Sequence, residues 1–355
     1  MKRGHFIGID VHYQFCETAV LNSAGKVAHK DRCETTISKL TEVIEAVPRP
    51  RFLVIEEGPL AGWLWRNLHH LVDEMVVSEP RRNRLIAKDG DKDDDLDAEK
   101  LAQLLRGGFI KAVHQCATLE QAVFKQQVAV YHHRVGQRVR EAHRLTSLFR
   151  RHGVMIRERD FVAEGDRPKL LERLPANESL REMITWLWES YDDAVVHEEK
   201  WRRRLVQLAQ SVEVVRRFEA LPGVGWIRAA TFYAYLDTPW RFASKSALWK
   251  YLGIGLLRKH SGNGPEYLGV PLQAHRLLKW TILGAAQSAA AQGDNPFADM
   301  YRRWIAEGLS RKLARRNVAR RLAATMWGLW KNSSVYHPEW VGVAAAAPVA
   351  ARVSR

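Results

Sequence analysis

Cysteine is scarce in this chain: Cys16, Cys33 and Cys116 are the only three. An odd number without metal-ligand spacing argues against a disulfide framework and a zinc site, and fits a reducing cytoplasm. Long apolar runs are missing too. None reaches the ~20 residues that span a bilayer, and "MKRGHFIGID" enters a strand-like segment with no apolar leader ahead of it. The expectation is a cytoplasmic, nucleoid-associated protein of bacterial type with no membrane partner.

Acidic excess is the third thing absent. Net charge is +15, from 55 Lys and Arg against 40 Asp and Glu. Residues 1–116 hold 17 basic and 18 acidic side chains, while residues 117–355 hold 38 and 22. The whole excess lies in the second part. A field of that sign attracts phosphate backbones or anionic membranes. With no amphipathic anchor or polybasic tail, nucleic acid is the expected partner.

What is present divides into segments. Residues 1–116 read as α/β. "FIGIDVH", "CETAVLN" and "KVAHKDR" follow one another at hairpin distance and imply an antiparallel meander. "TTISKLTEVIEAV" has helical period, "RFLVIEE" is a short apolar strand, "LAGWLWRNLHHL" a helix, "EMVVSEP" a strand, and "DDDLDAEKLAQLLRG" a helix closed by Gly107. The order βββαβαβα is that of a ribonuclease-H-like (RuvC-like) domain. Residues 117–215 read as a basic helical segment. One helix runs over about 119–152, and a second, from around Ser179, carries Leu180, Met183, Ile184, Leu187, Tyr191 and Val195 near heptad spacing. An antiparallel coiled coil is expected there. Residues 216–340 read as a mostly α domain, and 341–355 as a weakly packed or disordered tail.

Acids sit where the first part should be apolar. Asp10 ends the first strand in "GIDVH", and "VIEEGPL" puts Glu56 and Glu57 at the end of another. Positions 52–55 of that strand are all apolar, so alternation leaves both glutamates open. At ~100° per residue, Ala98, Leu101 and Leu105 define the inner stripe of the following helix, with Asp94 inside it and Asp97 at its edge. Glu99, Lys100 and Gln103 fall on the solvent side. Four carboxylates in one cleft cannot all stay ionised without a counter-charge. Oxygen donors without His or Cys suit Mg²⁺ or Mn²⁺. Two such ions ~4 Å apart would stabilise the attacking and leaving oxygens of a phosphodiester. The expected ligands are Asp10, Glu56, Asp94 and Asp97.

"GIDVH", "VIEEGP" and "KDDDLDAEKLAQLL" resemble the DEDD-type transposases of insertion-sequence family one-hundred-ten, the bridge-RNA-guided recombinases with a RuvC-like N-terminal domain. The last stretch matches the family's K-T-D-x-x-D-A signature at Asp94 and Asp97, with Asp93 in place of Thr, and the registration favours Glu56. "LPGVGWIRAATFYAYLDTPWRFASKSALWKYLGIGLLRKHSGNGPEYLG" resembles the family's C-terminal domain. The resemblance spans roughly residues 5–338. It implies a serine nucleophile, matched here by Ser261, a transient phosphoserine–DNA link, donor and target DNA, a structured guide (bridge) RNA, and a homodimer or homotetramer. Metal site and serine could then come from different subunits.

Read from the residues, Ser261 lies between Arg258-Lys259-His260 and Gly262-Asn263-Gly264. Glycines let backbone N–H groups approach an anion, and nearby cations stabilise a phosphoryl transition state. Further phosphate contacts are expected from Lys125, Arg134, Arg138 and Arg144 on the long helix and from Arg315, Arg316 and Arg320 near the C-terminus. "LPGVG" opening a helix resembles a helix-hairpin-helix turn, in which amides hold a phosphate. Two rivals stand beside the recombinase: a junction resolvase or nuclease that uses metal-activated water, and a non-catalytic nucleic-acid scaffold.

Overall fold

The structure, a computed structural model, describes residues 3–80, 94–259, 267–269, 274–339 and 341. Side chains are described from Asp97 onward in the helix that starts at Asp94, and not for residues 257–259 and 267–269. The chain divides into two compact units, residues 1–122 and 123–355.

The first unit is a five-stranded mixed sheet. Strands β1 (His5–Val11), β2 (Phe15–Leu21) and β3 (Val27–Glu34) form the meander. Helix α1 (Ile37–Glu45), strand β4 (Arg51–Glu56), helix α2 (Ala61–Leu68), strand β5 (Glu74–Ser78) and helix α3 (Asp94–Gly107) follow. The spatial order is β3-β2-β1-β4-β5, antiparallel across β1, β2 and β3 and parallel across β1, β4 and β5. This architecture is compatible with a ribonuclease-H-like domain.

Alternation along the strands separates two faces. Ile7, Ile9, Leu53 and Ile55 pack with Leu40 and Ile44 of α1 and Leu64 and Leu68 of α2. Phe6, Leu21 and Phe52 cluster with Ala102 of α3 on the other face. Arg51 shares the first face but is buried, because its guanidinium donates to the carbonyls of Ile44, Glu45 and Val47 at 2.8, 3.1 and 2.8 Å. It thereby satisfies carbonyls at the C-terminus of α1 that have no partner within the helix.

The second unit is helical. Helix α4 (Leu119–Arg151), which the unit boundary crosses, is followed by α5 (Arg167–Leu171), α6 (Glu178–Ser211), α7 (Glu213–Glu219), α8 (Gly225–Leu236) and α9 (Lys245–Tyr251). Strands β6 (Leu257–Lys259) and β7 (Tyr267–Gly269) pair antiparallel, and α10 (Arg276–Ala291), α11 (Pro296–Ala306) and α12 (Arg311–Lys331) close the unit. Phe124, Val128 and Tyr131 of α4 share one core with Leu205 and Ala209 of α6, Phe218, Phe232, Ile282 and Leu322. Leu145 and Phe149 of α4 share a second core with Leu180, Ile184, Trp188 and Tyr191 of α6. Early α4 thus meets late α6, and late α4 meets early α6, so the helices pair antiparallel. The seam differs from the expected heptad. Trp188 is buried, while Met183 and Val195 are exposed, so the stripe follows Leu180, Ile184, Trp188 and Tyr191. The basic helical segment and the C-terminal helices also share a core, so they are parts of one compact unit. No helix among the described residues is long and apolar enough to cross a membrane.

Candidate active site

Asp10 and Glu56 are neighbours. β1 and β4 run parallel with Ile9 opposite Ile55, so the next residues of both strands leave the sheet side by side at the carboxyl ends. Such ends of parallel strands are where open α/β sheets bind ligands. Phe6, Gly8 and Asp10 alternate onto the α3 face, as do Phe52, Val54 and Glu56. Glu57 is one residue out of phase and exposed, and its N–H donates to the Ser78 carbonyl at 2.9 Å. Register therefore separates two glutamates that the apolar strand could not.

Sequence reasoning missed three members of this edge. Glu17 stands directly opposite Asp10 on β2 and is 8% exposed. Ser78 is buried opposite Glu56 on β5. Glu17, Asp10, Glu56 and Ser78 thus form a polar row across four adjacent strands. The signal for Glu17 was available, because it sits in "FCETAVL" in phase with Ala19 and Leu21, an acid among buried residues. His12 is the third. Its Nε2 lies 3.0 Å from Asp10 Oδ2, and its ring stacks on Phe15 with centroids 4.6 Å apart. Arg32 lies over the other partner of that stack, 3.7 Å from the Phe15 centroid, and its Nε is 3.4 Å from Glu17. Asp10 and Glu17 are therefore braced by one contiguous set of side chains, His12 just after β1, Phe15 of β2 and Arg32 of β3.

Helix α3 lies directly on this face. A Cβ on Gly8 would stand 2.1 Å from the Ala98 carbonyl oxygen and 2.7 Å from the Ala102 nitrogen, so only glycine allows the approach. Ala98 and Leu101 are buried as the helical phase predicts, Leu105 is half-buried, and Ala102 is buried beside them. Asp94 is the first residue of α3, and its side chain lies outside the described residues. Asp97 lies at the edge of the stripe. Its side chain is 50% exposed and lies 3.6 Å from Lys100, so it sits at the solvent rim of the helix and not against the sheet. Glu99, expected in solvent, is partly covered and pairs with Lys30 at 3.0 Å.

The donors along the row are carboxylates and a hydroxyl, hard oxygen ligands that fit Mg²⁺ or Mn²⁺ in chemistry. Among the described residues no three His, Cys, Asp or Glu side chains gather closely enough to hold an ion. Asp10 and Glu56 alone are too few to hold an ion, and α3 starts on the same face.

Ser261 and His260 fall in residues 260–266, the connection between β6 and β7, outside the described residues. Arg258 and Lys259 belong to β6, with side chains outside the description. The turn "LPGVG" has left-handed backbone at Gly223 and Gly225, with φ of 76° and 60°. A Cβ at Gly223 would meet Ala285 oxygen and Ala289 nitrogen at 2.4 Å, so Gly223 is there for packing against α10.

The arginines divide into two kinds. Arg144 is 62% exposed beside Glu141, Arg134 donates to Gln137 at 2.9 Å, and Lys125 lies 5.7 Å from the Tyr235 ring centroid. Arg138 is engaged internally, donating to Glu198 at 2.6 Å and to Glu158. Arg320 is also structural: its Nε donates to the Ile254 carbonyl at 2.7 Å, and burial lowers its pKa. Arg138 and Arg320 therefore join elements of the fold together. Sequence displays the charge and hides the partner across the fold. Arg315 donates to Gln287 at 3.3 Å, and Arg316 is half-buried.

Comparison with known families gives two matches. A family model described as a DEDD-type transposase of IS110 covers residues 7–153, and one described as a transposase of the IS116/IS110/IS902 family covers residues 215–302. The first contains the acidic row and the second the β6–β7 segment. Among curated proteins, none matches the chain.

Proposed function

Because the chain belongs to the IS110 family of transposases and is a DNA recombinase, we propose that the acidic sheet edge of its first unit cuts DNA strands and that Ser261 holds the cut end. The observation that carries this reading is the adjacency of Asp10 and Glu56 on the α3 face at the ends of two parallel strands.

Asp10 and Glu56, joined by Asp94 and, from the rim, Asp97, would hold divalent cations, two Mg²⁺ or Mn²⁺ in the fullest form. When bound, such ions stabilise negative charge on phosphodiester oxygens. His12 and the Arg32–Glu17 pair hold Asp10 and its neighbour in place without touching the substrate. Ser261 Oγ attacks the phosphorus. The Oγ–P bond forms, the P–O bond to one DNA strand breaks, the departing strand oxygen takes a proton, and the serine proton passes to a base. Attack by a DNA hydroxyl on the phosphoserine reverses the sequence, rejoining the strand and freeing the serine. A structured guide RNA would choose donor and target, consistent with the basic excess of residues 117–355. The antiparallel α4–α6 pair would serve as a coiled coil in a homodimer or homotetramer.

The acidic row alone would equally serve a nuclease with metal-activated water. The two readings part at the product: recombination through Ser261 leaves a covalent protein–DNA adduct on a denaturing gel, and water leaves none. Incubating the protein with its RNA, DNA and Mg²⁺ and finding metal-dependent cleavage without an adduct would remove the serine step and keep the metal site.

A further inference from the structure

Helix α12 begins against electrostatic preference. Its first turn carries Arg311 and Lys312 and no acid, although the free N–H groups of a helix start favour negative charge. Among the described residues neither cation meets a carboxylate. Local conflicts of this kind, with no packing gain to offset them, mark functional positions.

The space they face is a solvent-open groove. Arg311, Lys312 and Arg315 of α12, Arg302 and Tyr301 of α11 and Gln287 of α10 line a cavity of about 810 Å³. Among the described residues no acidic side chain lines it. Arg302 is held at its edge by the exposed Asp299, at 2.6 Å, and Asp294, at 3.7 Å. Arg315 is held by Gln287, and its Nε is buried without a hydrogen-bond partner. With a water's share of volume about 30 Å³, the cavity is far larger than a single ion requires. Guanidinium forks suit phosphate oxygens. The oxygen of the one amide in the wall is already engaged by Arg315, and the remaining polar lining is cationic apart from Tyr301.

We propose that this cavity is a sequence-blind DNA-backbone site built entirely from α10, α11 and α12, gripping consecutive phosphates while the tyrosine ring flanks the sugars. The inference rests on the reading of the chain as a DNA recombinase and on no part of the metal or serine chemistry. It joins the basic run Arg311, Lys312 and Arg315, which the sequence displays, to Arg302, Tyr301 and Gln287, which charge counting along the sequence did not single out.

The test uses the full chain and a fluorescent duplex of arbitrary sequence, with affinity measured across a salt series. Arg311→Glu/Lys312→Glu should weaken binding at least tenfold near physiological salt. It should also reduce the slope of log K against log salt by about two, since each phosphate contact contributes ~0.9. Acids suit the first turn of a helix, so the melting temperature should hold or rise. Arg159→Glu/Arg181→Glu, which makes the same charge change on exposed positions elsewhere in the unit, should alter affinity far less. Unchanged DNA affinity, an equal loss in that control, or loss of binding to single-stranded RNA with duplex binding intact would each overturn the proposal. If the charge-reversed protein melts lower, Arg311→Gln/Lys312→Gln is judged by the same criteria. Asp10→Asn tests the cleavage reading separately: lost cleavage with an undisturbed salt slope in the cavity variants would sink only the cavity.

Discussion

Gly8 of β1 lies beneath Ala98 of α3, so close that a Cβ would stand 2.1 Å from the Ala98 carbonyl oxygen. The contact is backbone to backbone and cannot be relieved by turning a side chain. Gly8→Ala should push α3 off the sheet, destabilise the fold by about 1–3 kcal/mol and reduce DNA cleavage more than tenfold. Chemical denaturation and a cleavage gel check both effects. Wild-type stability with wild-type cleavage would show that α3 does not rest on β1.

The register of β1 and β4 makes unequal demands on two adjacent glutamates. Glu56→Gln and Asp10→Asn should each lower metal-dependent cleavage by about 10²-fold or more, and Glu57→Gln should leave it within about twofold of wild type. Equal losses at Glu56 and Glu57 would contradict the face assignment. Glu17→Gln should fall between, because Glu17 borders Asp10 and is paired with Arg32.

Ser261→Ala should abolish the covalent protein–DNA adduct while metal-dependent binding to DNA persists. The adduct is read as a shifted band on a denaturing gel. A band that survives the substitution would transfer the nucleophile to another residue.

Arg138 and Arg144 are both basic residues of α4, with opposite expected phenotypes. Arg138 bridges Glu158 and Glu198 with 23% of its side chain exposed. Arg138→Ala should cost about 1–3 kcal/mol, less than a fully buried pair because water reaches part of it, with little change in the salt dependence of nucleic-acid binding. Arg144→Ala should change stability by less than ~0.5 kcal/mol and weaken nucleic-acid binding. Melting curves alongside a binding series separate the two.

Burial pulls the pKa of His132 down to about 4. Thr231 donates its hydroxyl proton to the Ile227 carbonyl at 2.7 Å, so at 2.8 Å it accepts from His132 Nε2, and the imidazole is neutral in the fold. An unfolded histidine titrates near 6.5, so between those values the unfolded chain binds the extra proton. The contribution of His132 is complete above about pH 6.5 and is lost as pH falls through about 4, up to ~3 kcal/mol. Burial lowers the pKa of His275 also, which adds loss of the same sign. Denaturation at pH 7 and pH 4.5 should show a smaller difference for His132→Gln than for wild type. An unchanged difference would mean that another group carries the acid sensitivity.

The sequence by itself determined the element order of the first unit, the two long helices of the second and the acids at the ends of β1 and β4. Each of these is a local property: a run of strand length, a helical period, or a charge where the run should be apolar. Tertiary structure decided the rest. Glu56 differs from Glu57 only by the face on which it leaves the sheet, and that face exists only once β4 is packed on both sides. Glu17 joins the row because an antiparallel register brings it opposite Asp10. Arg138 acquires a bracing role because two glutamates arrive from other segments of the chain. Residues far apart in sequence acquire their chemistry from partners that folding brings within a few ångströms, and no window of the linear chain contains those partners.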